Sequence, residues 1–157
     1  MHDMIKPLAW LLGRWRADRG GKAQYPTMTD MKYGEEVEFF HVGQPNIQFS
    51  CYSWNAENQK NLHRETGFIR VQPGTNRLAF ISAHNVGVAE IQEGEFTKNQ
   101  LKVETTGLTR LTFGKEPATK KLLRVISRKG DELEQVISME TTKTPMTEHL
   151  RITYKKV

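Results

Sequence analysis

The sequence predicts an all-β fold, an antiparallel up-and-down barrel of roughly ten strands preceded by a short N-terminal helix. Three observations predict it. After the first dozen residues the helical period disappears, and short segments of alternating apolar and polar residues follow. Gly, Pro and Asn separate these segments at spacings of about 8–12 residues. Closing such a sheet removes its edges and leaves an interior that suits one small apolar ligand, which favours a barrel.

Length and composition fit one globular domain over residues 1–157, because no linker or low-complexity segment interrupts the chain. No stretch approaches the ~18 apolar residues of a membrane-spanning helix. The N-terminus lacks the pattern of a secretory signal. Cys51 is the only cysteine, which excludes an internal disulfide and a multi-cysteine zinc site. We therefore expect a cytoplasmic protein, with the nucleus as the alternative location.

The net charge of +5 does not by itself indicate a nucleic-acid or membrane-binding surface. The longest basic runs are the pairs Lys120-Lys121 and Lys155-Lys156, and acidic residues are interspersed among the basic ones. A mixed, solvated surface explains this distribution. We expect neither nucleic acid nor a membrane as a partner.

The elements follow in order from the N-terminus. Trp10, Leu11 and Leu12 end a short apolar segment that Gly13 stops, which predicts the helix. Alternation then predicts strands at residues 31–42, 46–54, 61–72, 77–84, 86–93, 95–105, 107–113, 120–128, 132–142 and 147–156. Turns are predicted at residues 55–60, 73–76, Gly94, 98–99 and 129–131.

The period of two along a strand assigns side chains to faces. In the second predicted strand, Ile47, Phe49 and Cys51 alternate with polar residues. In the first predicted strand the apolar face carries Tyr33, Val37 and Phe39, and the opposite face carries Glu36 and Glu38. These apolar faces predict the barrel interior.

Three polar or sulfur-containing side chains are candidates for that interior. His84 shares its face with Leu78 and Phe80, and Met139 shares its face with Ile137. Both faces of residues 61–72 are mixed, so His63 is a candidate only. A single bulge would invert any of these assignments.

His149 is not selected by this argument. Simple alternation groups it with the polar Arg151 and Thr153, on the face opposite Leu150 and Ile152. It faces a cavity only if it lies in the loop before the strand or at a bulge.

The histidines match no compact zinc motif. A single histidine on a half-buried strand is usually a hydrogen-bonded structural group. One neutral imidazole is, however, enough to hold a haem iron when apolar burial of the porphyrin supplies the remaining affinity. The residues alone leave both interpretations open.

Several blocks in combination resemble the nitrobindin family over nearly the whole chain. They are PLAWLLGRWR at residues 7–16, Tyr25-Pro26-Thr27, YGEEVEFFHVGQP at 33–45, LHRETGF at 62–68, AHNVGVAEIQEGE at 83–95, METTKTPMTEHL at 139–150 and the closing RITYKKV. The chain is most similar to the animal form, which also occurs as the C-terminal domain of a THAP-type zinc-finger protein. No zinc finger is present in this chain.

The resemblance implies a roughly ten-stranded barrel similar in outline to lipocalins and fatty-acid-binding proteins. It implies one haem b per chain, mostly ferric, near an open end. His149, in the block Pro-x-x-x-His-Leu, would be the axial iron ligand. Thr27 would lie near the haem, and His63, His84 and Met139 would line its cavity.

The sequence departs from the family at its Gly-x-Trp-x-Gly-x-Gly motif. Gly13 and Trp15 are present, but Ala17 and Arg19 occupy the later glycine positions. Glycine in a strand permits a bend or a close backbone approach. The replaced glycines bear on the geometry of this strand and do not affect His149.

The activity that the resemblance implies is isomerisation of peroxynitrite to nitrate, with nitric oxide binding at the same haem iron. Small molecules would then be the partners, and the resemblance allows a homodimer. Two alternatives remain open at this stage: a carrier of a fatty acid or other small apolar ligand, and a nitric oxide sensor or store.

Overall fold

A computed structural model describes residues 1–157. A 3₁₀ helix at Asp3–Leu11 precedes ten strands: β1 Gly13–Tyr25, β2 Met28–Phe40, β3 Asn46–Asn55, β4 Asn61–Val71, β5 Arg77–His84, β6 Val88–Phe96, β7 Gln100–Arg110, β8 Thr119–Lys129, β9 Glu132–Thr141 and β10 Thr147–Lys156. Every strand pairs antiparallel with its sequence neighbours, and β10 pairs with β1 to close the barrel. The predicted fold class is confirmed.

The N-terminal helix forms because its apolar residues recur at every third position. Ile5, Leu8 and Leu11 are fully buried, and this spacing matches the three residues per turn of a 3₁₀ helix. The backbone N–H of Met4 donates to Nδ1 of His2, which caps the first turn. The helix ends at Leu11, two residues before the predicted stop at Gly13.

The strand count agrees with the prediction, but two of its parts are wrong. β1 was not among the predicted strands, whereas residues 86–113, predicted as three strands, form only β6 and β7. Gly94 lies inside β6 and not in a turn. A Cβ atom on Gly94 would lie 1.9 Å from the carbonyl oxygen of Lys102 on β7, so this glycine permits a close strand approach.

The residues of β1 do not show a simple alternation because the pairing of this strand with β2 is irregular between Ala17 and Gly21. The strand nevertheless continues through Ala17 and Arg19, the positions at which the family glycines are replaced. The close contact in this region falls instead on Gly34 of β2, where a Cβ atom would lie 2.2 Å from the carbonyl oxygen of Asp18. The replaced glycines therefore leave the strand intact.

The two ends of the barrel differ in how their interiors are filled. At one end, where odd-numbered strands begin and even-numbered strands end, buried apolar side chains and the N-terminal helix fill the interior. We call this the closed end. Its inward residues include Phe39, Ile47, Ile69, Leu78, Phe96, Leu101, Ile126, Leu133 and Ile152. The opposite end, which we call the open end, holds the cavity described below.

A layer of buried polar side chains separates the two ends. Arg124 lies at its centre and donates two hydrogen bonds to the carboxylate of Glu65, at 2.7 and 2.9 Å. Its remaining donors reach the side-chain oxygens of Gln92 and Gln135, at 3.1 and 3.4 Å. The hydrogen bonds satisfy the buried guanidinium, which would otherwise destabilise the interior.

No helix in the structure combines the length and the apolar character needed to span a bilayer.

Candidate functional site

The open end of the barrel contains a cavity of about 330 Å³. Its walls come from the last residues of odd-numbered strands and the first residues of even-numbered strands. Apolar wall residues include Met28, Met31, Leu62, Val86, Ile137 and Leu150. An apolar cavity with a few polar groups is the usual form of a small-molecule or cofactor site.

His149 reaches this cavity because β10 is bulged. The pairing of β10 with β9 shifts between Glu148 and Leu150, and both His149 and Leu150 line the cavity as a result. Without the bulge, neighbouring residues would point to opposite faces. Alternation alone placed His149 outside, and the structure shows the bulge that the sequence left open as an alternative.

A backbone contact fixes the hydrogen-bonding role of the His149 ring. Its Nδ1 lies 3.1 Å from the carbonyl oxygen of Gln24, so Nδ1 carries the hydrogen and donates it. Burial lowers the pKa of His149, which keeps the ring neutral. The ring of Tyr25 packs edge-on against it at 5.2 Å between centroids. Nε2 therefore presents a lone pair, the form of imidazole that binds a metal ion.

The other predicted site residues lie in two different places. His63, His84 and Met139 line the cavity together with His149. Thr27 is exposed in the β1–β2 turn beside the cavity-lining Met28, and it does not line the cavity itself.

The rim of the open end is also apolar. Five large apolar side chains in or beside its connecting loops are at least one-third exposed: Met28, Val86, Leu111, Phe113 and Met146. Phe113, in the β7–β8 loop, is 82% exposed. A flat, largely apolar macrocycle wider than the cavity would find apolar contacts both inside it and around its mouth. Together with the bare Nε2 of His149, these walls fit a haem group.

The floor of the cavity is polar and rests on the buried layer. Nε2 of His63 lies 2.8 Å from Nδ1 of His84, and Nε2 of His84 lies 2.9 Å from Oε1 of Glu90. Burial lowers the pKa of His63 to about 4, so its ring is neutral. The hydrogen bonds from His63 to His84 and from His84 to Glu90 hold this ring in place.

Arg124 determines the charge state of Glu65 in the same layer. Burial alone would raise the pKa of Glu65, but the adjacent guanidinium and His84 lower it below its ordinary value. Nη2 of Arg124 donates to both carboxylate oxygens of Glu65, and the pair is almost completely buried. Glu65 is therefore a carboxylate whose charge is cancelled locally.

Glu35, by contrast, holds a proton readily. Burial raises its pKa to about 7, although the hydroxyl of Tyr154 donates a hydrogen bond to it. Gln135 bridges the two by donating to Tyr154 at 2.8 Å and to Glu35 at 3.4 Å. Glu35 lines the cavity, so this proton lies at the floor.

The sequence alone did not predict this polar layer; of the polar side chains at the floor, only His63 and His84 were expected in the interior. Glu35 shares a strand face with Tyr33 and Val37, and Arg124 shares one with Ile126, so charged residues on apolar strand faces were the available signal. That signal indicates burial. It does not indicate which charges pair, because the partners lie on distant strands.

The donor atoms of His63, Glu65 and His84 lie within 4.8 Å of one another, a spacing that raises the question of a metal ion. The facing nitrogens of the two histidines are only 2.8 Å apart. Two nitrogens bound to one tetrahedral zinc ion at about 2.0–2.1 Å would lie about 3.3 Å apart. A shared hydrogen fits this separation better than a shared metal.

Comparisons with known proteins agree with the geometry. A family model described as the THAP4-like, heme-binding beta-barrel domain matches residues 4–156. The chain is 44% identical over its whole length to the peroxynitrite isomerase THAP4 of Homo sapiens, and it spans about 27% of that protein. It is 36% identical to the peroxynitrite isomerase 1 of Mycolicibacterium paratuberculosis, over 96% of this chain and 92% of that protein.

The crystal structure of Rv2717c from M. tuberculosis has the same fold. It superposes with a TM-score of 0.89 at 27% sequence identity, and the match covers 100% of this chain and 99% of that one.

Proposed function

We infer the function of this chain from its family, since it belongs to the THAP4-like, haem-binding β-barrel domains. We propose that it binds one haem b in the open-end cavity and isomerises peroxynitrite to nitrate. The observation that carries the proposal is the bare Nε2 of the cavity-lining His149, whose ring is kept neutral by burial and oriented by the carbonyl of Gln24.

His149 would hold the haem iron through Nε2, and the apolar walls and rim would bury the macrocycle. Ferric haem, when bound, would supply an iron centre that reacts with peroxynitrite and binds nitric oxide. The chain contributes orientation, because the bulge in β10 and the Gln24 carbonyl restrict the imidazole ring. It also limits access of water, because the closed end and the wall side chains leave one mouth.

Haem binding is tested by the absorption spectrum of the reconstituted protein. Wild-type chain mixed with ferric haem should show a Soret band, and His149→Ala should abolish or grossly shift it. His41→Ala is a matched control, because His41 lies outside the cavity and only accepts a hydrogen bond from Gly43. An unchanged Soret band in His149→Ala would contradict the axial assignment.

The reaction itself is tested by stopped-flow decay of peroxynitrite with nitrate analysis. Ferric protein should accelerate the decay and raise the nitrate yield, whereas His149→Ala and the haem-free chain should not. Haem binding without acceleration would leave the nitric oxide sensor or store as the function.

A carrier of a fatty acid is the weaker alternative. Its cavity would need apolar walls, which are present, but it has no use for the neutral, oriented imidazole of His149. A fatty-acid carboxylate would also find no free cation on the polar floor, because Arg124 is already paired with Glu65. A fluorescent fatty acid that binds the chain and is not displaced by haem would favour the carrier.

A further inference from the structure

The floor histidines form a hydrogen-bonded chain that leads away from the cavity. Nε2 of His84 is surrounded by oxygen atoms: Oε1 of Glu90 at 2.9 Å, Oγ of Ser82 at 3.3 Å and Oε1 of Glu65 at 3.7 Å. Since carboxylates only accept, Nε2 of His84 carries a hydrogen. The remaining nitrogen of His84 faces His63.

The atom at the other end of this chain is Nδ1 of His63, which has no hydrogen-bond partner. The only fully enclosed side-chain nitrogen or oxygen without a partner is Nε1 of Trp10. Nδ1 of His63 is therefore open to the cavity that this residue lines. It is the one histidine nitrogen on the floor that a small ligand can reach.

The protonation state of His84 determines whether Nδ1 of His63 is a hydrogen-bond acceptor or a donor. When Nδ1 of His84 is bare, it accepts from Nε2–H of His63, and Nδ1 of His63 is an acceptor. When Nδ1 of His84 is protonated, it donates to Nε2 of His63, whose hydrogen must then reside on Nδ1. His63 is neutral in both states and changes only its tautomer.

Of the two histidines, only His84 lies within hydrogen-bond distance of a carboxylate. Burial holds the pKa of His63 near 4. Glu65 is already neutralised by Arg124, but Glu90 has only the uncharged donors Gln92 and Thr105 besides His84. An imidazolium at His84 would therefore lie directly against the carboxylate of Glu90.

We propose that His63 is a proton relay at the floor, which accepts the proton of a small weak acid while passing its own to Nδ1 of His84, whose positive charge Glu90 stabilises. The cavity would then bind the un-ionised acid and retain it as the anion. The identity of the acid rests on the proposed function: peroxynitrite is the anion of the weak acid peroxynitrous acid, and both forms exist near neutral pH.

The transfer balances without any further reactant. The bond between the acid HX and its proton breaks, X keeps the electron pair, and a new N–H bond forms at Nδ1 of His63. At the same time Nε2 of His63 releases its hydrogen to Nδ1 of His84. The product is X⁻, a neutral His63 that donates to it, and an imidazolium at His84 beside Glu90.

The groups that face the relay come from six strands. They are Glu35 on β2, Cys51 on β3, Glu65 on β4, Ser82 on β5, Glu90 on β6 and Arg124 on β8. Burial raises the pKa of the Cys51 thiol, so it adds no charge. Protonation of Glu35, whose pKa is about 7, is the second event that changes the floor charge near neutrality.

The first test follows the tautomers directly by ¹⁵N NMR of histidine side chains. It uses the full chain, both haem-free and loaded with diamagnetic zinc protoporphyrin. As the pH is lowered, we expect His84 to protonate and His63 to exchange its Nε2–H for Nδ1–H while staying neutral. In Glu90→Gln the same change should occur at lower pH, because the amide still accepts from His84 but carries no charge.

A His63 ring that keeps one tautomer throughout, or that becomes an imidazolium before His84, would overturn the proposal. This result does not depend on peroxynitrite chemistry, so it separates failure of the relay from failure of the proposed function. His41→Ala again serves as the control, since it leaves the floor unchanged.

The second test uses hydrogen cyanide, a weak acid that is un-ionised near neutral pH, with the haem-loaded ferric protein. If the protein keeps the acid's proton, the Kd for total cyanide should be nearly constant between about pH 6 and pH 8. In His63→Phe and Glu90→Gln the affinity should fall about tenfold for each pH unit lowered, because only the scarce anion binds. A tenfold slope in wild-type protein, or no slope in either variant, would overturn the relay.

Discussion

His149 shows how one backbone contact selects the chemistry of a side chain. The carbonyl of Gln24 accepts the hydrogen of Nδ1, and so the lone pair is on the nitrogen that faces the cavity. The carbonyl belongs to β1 and the ring to β10, the two strands whose pairing closes the barrel. Closure of the sheet and orientation of the ring are thus linked.

At the same scale, Glu35 and His63 have opposing effects on stability as the pH changes. The pKa of Glu35 is raised to about 7, so its contribution is complete below its unfolded value of 4.5 and is lost as the pH rises towards 7. The pKa of His63 is lowered from 6.5 to about 4, so stability increases as the pH rises between those values. Between about pH 4.5 and 6.5 the two slopes oppose each other.

Glu35→Gln should therefore reveal the pH dependence that His63 gives to the free energy of unfolding. We expect the free energy of unfolding of this variant, relative to wild type, to rise with pH by up to about 1.4 kcal/mol per pH unit between about pH 4.5 and 6.5. Urea denaturation of the haem-free chain at several pH values measures it. Glu57→Gln, on an exposed turn residue, is the control and should run parallel to wild type. A parallel curve for Glu35→Gln would show that Glu35 carries no proton in the folded state.

At the scale of the element, β10 marks the limit of what alternation can predict. His84 and Met139 lie on regular strand segments, and the period of two placed both on the interior face. His149 lies at a bulge, and the residues around it carry no local signal for the extra residue. The family resemblance, which does not depend on alternation, identified it.

The alternation pattern did not predict β1, for a related reason. Its pairing with both neighbours is interrupted between Arg16 and Lys22, so inward and outward positions change along the strand. The prediction for residues 86–113 is wrong at Gly94, where the glycine indicated a turn and the structure has the middle of β6. The same residue type indicates a turn or a close strand approach, and only the neighbouring strand distinguishes them.

Gly94 provides a test at this scale. Gly94→Ala should destabilise the chain by about 2–4 kcal/mol, since the added carbon would lie 1.9 Å from the Lys102 carbonyl and force β6 away from β7. Gly107→Ala is the matched control on the same strand pair, because nothing lies within 4 Å of its Cβ position. It should change the unfolding free energy by less than about 0.5 kcal/mol. Equal effects of the two substitutions in urea denaturation would contradict this account.

At the scale of the whole molecule, the buried polar layer joins strands that do not pair with each other. Arg124 on β8 contacts Glu65 on β4 across the interior, and Gln135 on β9 contacts Glu35 on β2. The guanidinium also stacks over the ring of Phe80, at 5.0 Å from its centroid. The layer thus connects the apolar closed end with the cavity.

Removing one partner of the central ion pair tests its contribution. Arg124→Met should lower the free energy of unfolding by about 3–5 kcal/mol, because Glu65 would remain buried without its cation. The double variant Arg124→Met, Glu65→Leu should recover much of that loss, since no uncompensated charge remains. Thermal and urea denaturation measure both. A double variant no more stable than the single one would mean that the loss comes from packing and not from charge.

The packed closed end also has a kinetic consequence. It leaves the open end as the entrance, so under the proposed function a small molecule at the floor and the haem would share one route. The order of addition then matters: a probe soaked in before the porphyrin becomes trapped behind it, whereas one added afterwards has to pass its edge. The fraction of molecules with a ligand at the floor would then depend on the order in which ligand and porphyrin were added, as well as on the affinity for the ligand.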